Sequence, residues 1–63
     1  MTLYQVRRKG TCSVWLVIAE RAKSAFETIN HPAWTKETCE VKALMTFIRR
    51  QDPELVGHYE VMK

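Results

Sequence analysis

Residues 12–19, CSVWLVIA, constrain this chain more than any other segment. β-Branched and aromatic side chains dominate them, the composition of a strand that packs against neighbours. The uninterrupted apolar run, residues 14–19, is six residues long, whereas a membrane helix needs about 20. A strand with so little polar alternation is expected to be a central strand, or one covered on both faces. The whole chain has 63 residues, which fits one domain spanning residues 1–63. A domain this small hides only about 60% of its unfolded surface, so its core is thin and a deep catalytic cleft is not expected.

Residues 2–8 alternate and carry Tyr4 and Val6, and Arg8-Lys9-Gly10 supplies turn chemistry before the apolar run. A three-residue loop there, closed by Gly10 at positive φ, sets Val6 opposite Cys12 and Tyr4 opposite Val14. One face then carries Tyr4, Val6, Cys12, Val14, Leu16 and Ile18; the other carries Leu3, Gln5, Arg7, Thr11, Ser13, Trp15 and Val17. A two-residue loop at Lys9-Gly10 would instead bring Tyr4 and Val6 to the Trp15 side.

The period changes next. Ala22, Ala25, Phe26 and Ile29 fall on one stripe of a helix over residues 20–30, which Asn30 and Pro32 terminate. Residues 36–51 fit two templates: Val41, Leu44, Met45 and Ile48 for a helix, Val41, Ala43, Met45 and Phe47 for a strand. The helix formers Glu40, Lys42, Ala43, Leu44 and Met45 favour a second helix, and Asp52-Pro53 ends either element. Residues 58–62 alternate as a last strand. The expected fold is α+β: a small antiparallel sheet, with elements β-β-α-α/β-β along the chain and helical cover on one face.

That architecture spends its apolar cover on one side and leaves Trp15 open on the other, beside Val17. Arg7, Arg8 and Lys9 account for the whole net charge of +3, because residues 20–63 hold seven bases and seven acids. The expected partner-binding set is therefore Gln5, Arg7, Arg8, Lys9, Ser13, Trp15 and Val17, with Arg49 and Arg50 as a second basic spot. The alternative for Trp15 is cover by the chain's tail, by the loop at residues 32–34 or by the second helix.

Catalytic and metal chemistry find little support. Cys12, His31, Cys39 and His58 are zinc-ligand types, but 18, 7 and 18 residues separate them, unlike the close ligand pairs of zinc modules. The two glycines are too far apart to form a phosphate cradle. No cofactor, metal or enzymatic activity is expected. The basic stretch at residues 7–9 precedes an apolar run shorter than the roughly 7–15 residues of a secretory leader. Glu20, Arg21 and Lys23 close that run, so a cytoplasmic location and free thiols are expected.

Three functions follow. The first is a stoichiometric protein-binding module, a regulator or inhibitor in the style of the accessory proteins of phages and mobile elements, an analogy of size alone. The second is nucleic-acid binding through the basic hairpin tip. The third is a homodimer or larger homo-oligomer whose open sheet face is its own interface.

Overall fold

A computed structural model describes residues 1–48 and 52–60. Four strands and one short helix follow in the order β1 (Thr2–Arg8), β2 (Ser13–Ala19), α1 (Ala22–Ile29), β3 (Cys39–Thr46) and β4 (Glu54–Glu60). The strands form one antiparallel sheet in the order β3-β1-β2-β4, an α+β arrangement. β2 is central, as its composition requires, and it buries Val14 and Ile18 on one face and Val17 and Ala19 on the other. Among the described residues no helix is long and apolar enough to cross a membrane.

The expected second helix is a strand. β1 has two sides, and β2 satisfies the backbone groups on only one. Residues 39–46 supply the other ladder, from Thr2 opposite Thr46 to Arg8 opposite Cys39. Helix propensity is worth a few tenths of a kcal/mol per residue and gives way to that pairing. The last strand also differs from expectation. It begins at Glu54 instead of residue 58 and takes Gly57 into its interior.

The first hairpin turns through four residues, 9–12, and not three. The Thr11 hydroxyl donates to the Arg8 carbonyl at 2.9 Å and accepts from the Ser13 amide at 3.2 Å. These bonds hold an extra residue in the turn. Gly10 adopts the expected positive φ, +76°. Register moves accordingly: Val6 faces Trp15 and Tyr4 faces Val17. A shift by an odd number of residues exchanges the two faces of β2. Trp15, Val17 and Ala19 therefore join Tyr4 and Val6, the parity of the shorter-loop alternative.

That shared face holds the core. Val6, Val17, Ala19, Ala25, Trp34 and Cys39 form one buried cluster, with Tyr4, Trp15, Phe26, Ile29 and Ala33 packed against it. α1 is slightly shorter than the expected residues 20–30. It ends at Asn30, whose left-handed backbone (φ 50°) directs its N–H to the Phe26 carbonyl. The connection to β3 is pinned by Thr38, whose hydroxyl donates to the Ala33 carbonyl at 2.8 Å and accepts from the Thr35 amide at 2.9 Å. Trp34 is thereby held against the sheet.

Candidate functional site

Trp15 does not stand on an open sheet face. It lies on the core side, half-buried, with its ring 5.0 Å from the His58 ring, which in turn meets the edge of Trp34 at 6.2 Å. The loop carrying Trp34 thus provides the cover, one of the options the sequence left open. The register explains the correction: the four-residue turn sends Trp15 toward α1. Val17, another member of the expected docking set, is fully buried there. Ser13 lies in the same row and places its hydroxyl 2.6 Å from His58 Nε2. Hydroxyl and imidazole are the types of a nucleophile–base pair; β4 is an edge strand, and His58 is exposed on it.

The basic tip is also divided. Arg7 points to the opposite face and pairs with Glu40 at 2.6 Å, both half-exposed. The Arg8 guanidinium sits 5.9 Å above the Trp34 ring. Lys9 Nζ donates to the Glu37 carbonyl at 3.4 Å. The three adjacent cations thus have three different partners. Arg49 and Arg50 lie outside the described residues. Cys12 and Cys39 are free thiols, and no cluster of metal-ligating side chains occurs among the described residues.

The face turned away from α1 has a different character from the one expected. A bulge on β3 inserts Leu44, so Ala43 pairs with Tyr4 while Met45 pairs with Leu3. Met45 therefore lies on the face opposite Val41 and Ala43. Met1 and Phe47 extend that ladder through reciprocal backbone bonds of 2.6 and 2.7 Å. A second bulge, at Val56 on β4, sets Gly57 and Tyr59 on this same face, beside Leu16 and Val14. Its rows read Met45–Leu3–Ile18–Glu54, Lys42–Gln5–Leu16–Gly57 and Glu40–Arg7–Val14–Tyr59.

One end of this face is apolar and the other is polar. Met45 is 57% exposed and Tyr59 39%. The Tyr59 hydroxyl donates to Gln5 Oε1 at 3.3 Å. Since Tyr59 is on β4 and Gln5 on β1, its ring crosses β2 and shields Val14. Gly57 leaves a dent beside Leu16, where an added Cβ would meet nothing within 4 Å. On this face Ile18 is 4% exposed, and Leu3 and Leu16 are half-buried. Of the expected docking residues, Gln5 and Arg7 belong to this face. Met45, Leu3, Leu16 and Tyr59 were missed because their placement depends on a turn length and two bulges that alternation alone does not reveal. The chain matches no protein-family model, no curated protein and no solved structure.

Proposed function

We propose that this chain is a small non-enzymatic module that binds one partner protein stoichiometrically, as a regulator or inhibitor, through the sheet face that lies away from its helical cover. The observation carrying this reading is the apolar strip of Met45, Leu3 and Leu16, bordered by Tyr59, Gln5 and the Arg7–Glu40 pair. An apolar strip bordered by polar, hydrogen-bonding groups suits a docking surface.

The experiment is affinity capture with wild-type chain, Met45→Glu and Lys36→Glu as parallel baits. Met45 is exposed on an edge strand, so the charge is introduced without opening the core. The proposed function predicts a protein held by the wild type and by Lys36→Glu but lost from Met45→Glu. Identical capture by all three baits refutes it.

Self-association is a second reading of the same face. Lys42 stands on its β3 flank and Glu54 on its β4 flank. A two-fold axis along the strands would set each near the other's counterpart. Sedimentation across a dilution series separates the readings: a dimer at micromolar concentration favours self-association, and a monomer favours a different partner.

A further inference from the structure

On the core side, α1 lies against β2 and reaches β4, which leaves the β3 flank of that face without a helix above it. The chain must still travel from the end of α1 to the start of β3. Residues 31–36 make that crossing and build a second wall facing the helix. Between the two walls runs a groove of ≈ 870 Å³. Phe26 and Ala22 form the helix side, and Pro32 and Trp34 the loop side. Val41, 36% exposed, belongs to the lining from β3, whereas Trp34 is 7% exposed and held rigidly by the core. Concave sites of about 300–1,000 Å³ with apolar and aromatic walls and a few polar groups are the usual form of a small-molecule site.

Six polar side chains line the groove, and of these Asn30, His31 and Thr35 can each donate or accept. Lys23 and Lys36 contribute two positive charges, and Glu27 is the acid set against them. The ion pair found among the described residues is Arg7–Glu40, so neither lysine is engaged in one. His31 Nδ1 accepts the Ala33 amide at 3.1 Å. The neutral imidazole then carries its proton on Nε2, which makes that atom a donor as well. The groove therefore combines an aromatic-walled floor with a rim of net positive charge.

We propose that this groove binds a small organic monoanion with a flat apolar body, of the aryl carboxylate class. The apolar body lies along the groove against Phe26, Pro32 and Val41, with the carboxylate at the rim that Lys23 and Lys36 make positive. Each lysine acts in water and contributes a few-fold, and Glu27 offsets part of the sum, so the anion should be favoured about tenfold over a neutral analogue of the same shape.

The test is an ¹H–¹⁵N NMR titration of the full chain with 2-naphthoate, 2-naphthylmethanol and 2-naphthylmethylamine. Saturable shifts are expected at the Trp34 indole N–H and the amides of residues 30, 31 and 33–36, with Kd about tenfold lower for naphthoate than for the alcohol. Raising salt should narrow that gap. Lys23→Glu with Lys36→Glu, both at exposed positions, should reverse the order in favour of the amine. Met45→Glu, on the opposite face, should leave all three titrations unchanged. Equal affinity for the three probes, shifts centred outside the groove, or no saturation by 10 mM overturns the proposal.

Discussion

Trp34→Ala is the most informative perturbation of the fold. The indole is 7% exposed, belongs to the buried cluster with Val6, Val17 and Ala25, meets the His58 ring edge-on and carries the Arg8 guanidinium above it. Truncating a buried Trp costs about 3–5 kcal/mol. The aromatic contact accounts for roughly 0.5–1 kcal/mol of that, and the exposed cation–π contact for about 0.5. At about 0.05–0.15 kcal/mol per residue, a domain of 63 residues holds roughly 3–9 kcal/mol in total. Trp34→Ala should therefore remove at least about a third of that stability, while Trp34→Phe keeps a ring in the cluster and loses roughly 1–2 kcal/mol. Urea unfolding followed by circular dichroism measures both. The Ala variant should show a urea midpoint far below that of the Phe variant, whose own midpoint is shifted but well defined. A Trp34→Ala protein within about 1 kcal/mol of wild type would mean that the loop at residues 31–36 does not close the core, and the cluster described above would be wrong.

Two glycines should respond in opposite directions. Gly10 turns the hairpin at φ +76°. Gly10→Ala should lose about 1–2 kcal/mol through backbone strain alone, since nothing lies near its added methyl, read as a lower urea midpoint at unchanged slope. Gly57 sits in β4 without positive φ, beside open space. Gly57→Val should raise stability by about 0.5–1 kcal/mol by restricting the unfolded chain and supplying a strand-forming side chain, measured the same way.

Much of the fold is legible in the residues. The alternation of residues 2–8 and the apolar run after Gly10 define a hairpin whose second strand must be central. The stripe of Ala22, Ala25, Phe26 and Ile29 defines a helix that Asn30 ends. β3 is harder to read, because Lys42, Ala43 and Leu44 favour helix locally and the opposing influence is the open edge of β1, distant in sequence. The candidate face is less legible still. Whether Trp15 points inward depends on whether the turn holds three residues or four, and the Thr11 hydroxyl decides that through two bonds to neighbouring backbone. Whether Met45 lies with Val41 or opposite to it depends on the bulge at Leu44. Alternation supplies a period of two, but each extra residue exchanges the faces, so a correct list of strands still leaves the two surfaces unassigned.

The most direct test of the docking face is paramagnetic relaxation of side-chain methyl groups by a neutral, soluble spin probe. The Met45 and Leu16 methyls should relax strongly in the free protein while those of Val6 and Val17, fully buried beneath α1 and Trp34, stay sharp. Met45 and Leu16 methyls as protected as those of Val6 and Val17, in a protein that is monomeric under the same conditions, would contradict the open face.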